Sequence, residues 1–409
     1  MNKIRIARKA NKVLKKSTGI MFFSIFLTIL HFSACTPRER AQVPVREPGQ
    51  EPVLPAEQAR DRAPGSVITR EEAGEFIFYI REDGIFELPV VGSTGWAAIE
   101  MPLYNSANEN AYIITLLEAG QGFTILEEAA GWWRVAVNNI SGWVRNELCM
   151  INLPDIIPSI VHNNTNTTFS LFRSSGREIP NVTGMALYQA RDFNVRLGRY
   201  EYIAAVLYGM ARKIGAAQQA ALANGHTLVI YEAFRPAEAH NRVYENLHAL
   251  AAADPAVWAG ISTPPWNSRW FLAASPYNHQ RGTAIDVSLA RIDSYEFRVT
   301  GDFAFIHISG YTEYQMQTPM HELSIDAVVF TGPVHSRSLT AWRDGVFSER
   351  ATIGTRLMHR YLTDAGLIPL ASEWWHFNDL VNTALAVEAN ITGEFSTERT
   401  FSRPPRAVR

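Results

Sequence analysis

The stretch Ser275-Pro276-Tyr277-Asn278-His279-Gln280-Arg281-Gly282-Thr283-Ala284-Ile285-Asp286-Val287-Ser288-Leu289 decides how the rest of the chain is read. Its second half alternates as a strand does. Ile285, Val287 and Leu289 fall on one face, and Ala284, Asp286 and Ser288 on the other. The first face suits a core. The second is small and polar around one carboxylate. Gly282 offers a turn between His279 and Asp286, which brings imidazole and carboxylate toward one point. A His and an Asp that converge at a strand start are half of a metal site.

The other half lies in Ser372-Glu373-Trp374-Trp375-His376-Phe377. Neutral imidazole nitrogen and carboxylate oxygen are ordinary zinc ligands, and a catalytic zinc keeps three protein ligands and one open position. His279, Asp286 and His376 supply the three, for one Zn2+ per chain. Glu373 is then the spare carboxylate, placed to act as base.

Three pieces in order carry a resemblance: Phe234-Arg235-Pro236, then His279 six residues before Asp286, then Glu373 to His376. Over roughly residues 155–385 the chain resembles the VanX-type D-alanyl-D-alanine dipeptidases of the zinc D-Ala-D-Ala metallopeptidase family. The resemblance implies hydrolysis of D-Ala-D-Ala or a related peptidoglycan-derived peptide. It also implies that Arg235 stabilises the oxyanion beside the metal. Two positions depart from that pattern. Gln315, in Gln315-Met316-Gln317-Thr318, stands where the family has an acid that holds the substrate amine. Asn278 stands where a Ser is usual. Both are candidate substrate contacts. A neutral amide holds an ammonium less well than a carboxylate does. A D,D- or L,D-carboxypeptidase acting on longer stem peptides therefore stays open, as does a non-catalytic cell-wall-binding lipoprotein.

The 409 residues allow two or more domains, and 47% hydrophobic content with 10 Trp argues for folded material. Residues 1–34 combine seven cations, an apolar run and a small-residue end, the pattern of a secretory signal. Cys35 follows Ser33-Ala34 as in a lipobox, so lipidation of Cys35 and a membrane anchor are expected, in the cell envelope on the periplasmic or extracellular side. Cleavage there removes seven cations and no anion, so the formal charge of −2 becomes −9, which argues against a nucleic-acid partner. Residues 35–70, rich in Pro, Arg, Glu and Gln, read as a disordered tether.

Residues 71–152 carry short β-type runs, among them Phe76–Ile80, Ile113–Leu117, Phe123–Leu126 and Trp133–Val137, punctuated by glycines. Gly131-Trp132-Trp133-Arg134-Val135 with Gly142-Trp143-Val144 resembles the bacterial SH3-like domain. That implies a small β-barrel and cell-wall binding, with packing as the other role for Trp132, Trp133 and Trp143. Residues 153–385 read as the peptidase-like domain, entered through a Pro- and Asn-rich linker up to residue 190. Ile203, Val206, Leu207, Met210 and Ile214 predict a helix over 196–223. Thr227–Tyr231 is a buried strand, and Pro236 opens a helix. Residues 354–365 predict another helix, closed by Gly366, and 386–409 a flexible tail. The fold expected is α+β: a mainly antiparallel sheet flanked by helices, preceded by the small barrel.

Overall fold

The computed structural model describes residues 62–79, 84–274 and 276–407. The signal segment, Cys35 and the tether up to residue 61 lie outside the described residues. No described helix is long and apolar enough to cross a membrane.

Short runs of β-formers separated by turns give seven strands between residues 94 and 152: β1 (Thr94–Ala97), β2 (Met101–Tyr104), β3 (Ile113–Leu117), β4 (Gly122–Ala129), β5 (Trp132–Val137), β6 (Ile140–Arg145) and β7 (Cys149–Asn152). An eighth, β8 (Ala205–Leu207), comes from much later in the chain. The order is β8-β7-β1-β4-β5-β6-β2-β3, every neighbour antiparallel. Phe123, Trp133 and Val135 are fully buried inside this sheet. They share one core with Ile214, Val229 and Ile285, so the expected boundary at 152 falls within continuous packing. Phe76–Ile80 does not form the expected strand among its described residues; Ile77 makes a single parallel bridge to Phe303. Within the expected 35–70 tether, Val67 and Ile68 pair with Arg298 and Phe297.

The second half is built on a seven-stranded sheet with helices beside it. After β8 come α1 (Tyr208–Leu222), β9 (His226–Glu232), α2 (Ala237–Ala253), β10 (Ala284–Thr300), β11 (Phe303–Glu313), α3 (Ile353–Asp364), β12 (His376–Asn378) and α4 (Leu380–Glu388). The 17-residue β10 is the spine. It pairs antiparallel with β12 at its start, with β9 along its first half and with β11 along its second. β9 also pairs, in parallel, with Val161–His162. The molecule is thus mixed α+β with mostly antiparallel sheets.

Two expectations change here. The helix predicted over 196–223 begins only at Tyr208. Arg199–Tyr202 pairs instead with Arg191–Asn194, and Val206 and Leu207 bury their side chains as strand residues against Ile151 and Met150. Spacings of three and four had spanned a strand and the helix after it. The tail beyond 385 completes α4 and then lies along the body. Arg403 N–H donates to Gly92 O at 2.7 Å and Phe401 N–H to Thr94 Oγ1 at 2.9 Å. Phe395 stacks on Phe234 at 4.9 Å. Gly122, which read as a turn signal, is a close-approach site: a Cβ there would stand 2.1 Å from the Phe401 ring.

Candidate metal centre

Strand register assembles the site. In β9–β10–β12, Glu232 lies opposite Asp286, and Asp286 opposite His376. Directly opposed residues share a face with Cβ atoms about 4.5–5.5 Å apart, so three polar side chains form a row across the sheet. His279 joins from the turn just before β10. Gly282 holds that turn with φ +65°, a conformation that favours glycine, and its carbonyl accepts from Leu207 N–H at 2.8 Å. Sequence placed His279, Asp286 and His376 together, and the structure brings them together: all three are buried, at 0–1% exposure.

Their inner atoms converge. His279 Nε2 is 3.1 Å from His376 Nδ1, and Asp286 Oδ1 is 3.2 Å from the former and 3.1 Å from the latter. Outward nitrogens are already committed. His279 Nδ1 faces the Ala233 carbonyl at 2.7 Å, and His376 Nε2 faces Asn378 Oδ1 at 3.0 Å. Both partners accept, so those nitrogens carry the protons in the neutral rings and the inner ones present lone pairs. Burial pushes His279 below its ordinary pKa, against the pull of Asp286. Three lone-pair atoms thus face one point. Zinc bonds of about 2.0–2.1 Å in a tetrahedron set ligands roughly 3.3 Å apart, close to the spacing found. The donor set of two imidazoles and a carboxylate fits that ion.

Asp286 divides its two oxygens. Oδ1 faces the histidines, while Oδ2 accepts from Arg235 Nη2 at 3.0 Å and from His321 Nε2 at 3.1 Å. Burial alone would raise the Asp286 carboxyl, but the histidines packed against it hold it well below the usual carboxylate range. Glu232, Asp286 and His321 form a second group of potential ligands. Arg235 already supplies its cation: Nε donates to Glu232 Oε2 at 2.6 Å, and Nη2 reaches both carboxylates. Its Nη1 lies 3.5 Å from His240 Nδ1, and Phe172 covers its face at 5.0 Å. Arg235 therefore sits behind Asp286, bonded to both carboxylates and covered by Phe172.

Glu373 stands beside the trio, with Oε2 3.8 Å from His376 Nδ1. Burial, then the Asp286 charge, push its carboxyl well above the ordinary value, against Arg235. Tyr277, half-buried, has its ring centre 5.7 Å from that of His376 and 6.2 Å from that of His279. Asn278 is half-buried, and its amide donates to Asn378 Oδ1 at 2.7 Å. Gln315 is exposed and lines a cavity of about 380 Å³ along the sheet. Trp132 and Trp133 are core residues, the latter packed on Tyr208 at 4.7 Å, while Trp143 is half-buried.

Sequence reasoning missed Glu232, His321, Tyr277 and Asn378. Glu232 had a signal, since it leaves the same strand as Arg235. His321 had none. It is fully buried, at φ +62°, stacked on Phe172 at 4.2 Å, with Nδ1 unpartnered. No protein-family model and no characterised protein matches this sequence.

Proposed function

We propose that this chain is a zinc-dependent peptidase acting on D-Ala-D-Ala or a related peptidoglycan-derived peptide in the cell envelope. The observation that carries the proposal is the convergence of His279 Nε2, His376 Nδ1 and Asp286 Oδ1 at 3.1–3.2 Å, with Glu373 beside them. When bound, zinc supplies Lewis acidity, activating water and polarising a carbonyl. Glu373, with its raised pKa, takes a proton from water and returns it to the leaving amine. Arg235 neutralises Glu232 and the outer oxygen of Asp286, so that only Oδ1 turns inward. The positioning role suits it better than the oxyanion role the family resemblance implied, because Nε and Nη2 are engaged.

The motif order from Arg235 through His279 and Asp286 to Glu373 and His376 supports the VanX-type, zinc D-Ala-D-Ala peptidase-like reading. Strands β1–β7 are the part we read as SH3-like. Burial of Trp132 and Trp133 favours packing over ligand binding for those two. Attachment to the membrane through Cys35 belongs to the same proposal. Hydrolysis of longer stem peptides is favoured over the free dipeptide by one observation: the residue expected to hold a dipeptide's amine is the neutral, exposed Gln315.

The test is direct. Full-length protein in detergent is expected to bind one zinc per chain and to release amine from D-Ala-D-Ala or stem peptides, with loss on chelation. His279→Ala and His376→Ala are expected to lose stoichiometric zinc. Retained zinc in both, or no hydrolysis of any such peptide, would reject the proposal.

A further inference from the structure

The cavity of about 380 Å³ lined by Ser288 and Trp374, near neighbours in sequence of Asp286 and Glu373, is within the range of small-ligand pockets. Its walls continue the site. Ser288 is two residues beyond Asp286 on the same face of β10, and Trp374 follows Glu373. Met316 and Met320 add apolar surface. Of all the lining residues Glu313 alone is charged. It stands opposite Ala290 in the β10–β11 pair, so it shares the face of Asp286 and Ser288. Tyr231 Oη donates to both Glu313 oxygens, at 3.0 and 3.2 Å, and so holds the carboxylate in place.

Register gives the scale. Ala290 is four residues from Asp286, about 13 Å along the strand, and the bond from Tyr231, the neighbour of Glu232 opposite Asp286, draws the Glu313 carboxylate back along it, leaving on the order of 10 Å between the carboxylates. A dipeptide cannot span this, because one residue extends the chain by at most ~3.6 Å and its free amine lies within one residue of the scissile carbonyl. A peptide with an amine further out can. We infer that the Glu313 cavity is a specificity subsite for an ammonium group carried roughly 10 Å from the scissile carbonyl, on the acyl side of a peptide longer than a dipeptide. Glu313 and Tyr231 grip the cation, and Met316, Met320 and Trp374 line the route to it. A lysine-like side chain and a free α-amine offer the same chemistry. This inference rests on the peptidase reading of the metal centre.

Three peptides separate the outcomes: Nα-acetyl-Lys-D-Ala-D-Ala, Ala-(Nε-acetyl-Lys)-D-Ala-D-Ala, whose α-amine lies about three residues out and so reaches that far, and the diacetylated tripeptide. With zinc-loaded full-length protein, kcat/KM is expected to be about tenfold higher for a free-amine peptide than for the diacetyl peptide, the scale of one charge-assisted hydrogen bond. The better of the two free-amine peptides names the source of the cation. In Glu313→Gln that ratio is expected to fall toward one. Equal kcat/KM for all three peptides in the unmutated protein would overturn the subsite while leaving the peptidase reading intact. An unchanged ratio in folded Glu313→Gln would also overturn it. Hydrolysis of none of the three would overturn the subsite, and failure to cleave D-Ala-D-Ala as well would remove both.

Discussion

Asn378→Leu isolates the part of the site that aims a ligand without touching the ion. Asn378 Oδ1 accepts from His376 Nε2 at 3.0 Å and from Asn278 Nδ2 at 2.7 Å, inside a residue only 5% exposed. Leucine keeps the volume, and the backbone stays paired on both sides, to Ala284 and Ile368. What is lost is the acceptor that keeps the proton on Nε2. The other tautomer then gains, because Nδ1–H can donate to Asp286 Oδ1, 3.1 Å away. That bond occupies the two atoms meant for the ion. Removing such an outer partner lowers metal affinity typically about 10–100-fold, or about 1.4–2.8 kcal/mol. Asn378→Asp keeps an acceptor and is expected to hold zinc at least as well as the parent. The assay is competition between protein and a chromophoric chelator at neutral pH, with urea unfolding of the chelated proteins as control. If folded Asn378→Leu binds zinc within about twofold of the parent, the tautomer argument fails.

Glu87 gives a pH prediction. Burial lifts its carboxyl from 4.5 to about 7, against hydrogen bonds from Ser159 and Gln219. The folded pKa exceeds the unfolded one, so its contribution is full below pH 4.5 and is lost as pH rises through 7. Glu87→Gln, a mimic of the protonated form, is expected to gain on the parent by on the order of 2–3 kcal/mol between pH 4.5 and 8 in urea unfolding; a constant difference would refute this. Arg235→Ala strands Glu232 and Asp286 as buried charges and is expected to cost about 3–5 kcal/mol of stability; urea unfolding that shows under about 1 kcal/mol would mean the guanidinium does not hold them.

The ligand trio was legible because each member stands in a local pattern. Strand alternation put Asp286 on a polar face, Gly282 marked the turn from His279, and the Glu373–His376 spacing marked the rest. What failed depended on pairing across distance. Glu232 matters because register sets it opposite Asp286, and nothing within residues 226–232 names that partner. His321 lies between β11 and α3 in a stretch without regular period, and it keeps a positive φ because its ring is clamped between Phe172 and Trp375. The overlong helix had a similar origin: Val206 and Leu207 satisfy helical spacing, yet β7 needed a strand beside it. The C-terminal segment read as a tail because it is polar. Its two phenylalanines, Phe395 and Phe401, fit against Gly120 and Gly122, a complementarity visible only once both segments are placed.

Charge accounting ties these parts to one ion. Glu232 and Asp286 carry two negative charges and Arg235 one positive, so the buried cluster is left at about −1; ionised Glu373 makes it about −2. Buried charge without compensation is costly, which raises the Glu373 pKa and makes the pocket a sink for a dication. A monovalent ion would leave half the excess, and a second dication at Glu232, Asp286 and His321 would meet the guanidinium already bonded there. On the proposed reading, the arrangement therefore suits one divalent ion at His279, Asp286 and His376. A dication held there would oppose the burial and the Asp286 charge that keep the proton on Glu373. On the proposed reading, Glu373 would then accept a proton more readily with the site filled than with it empty.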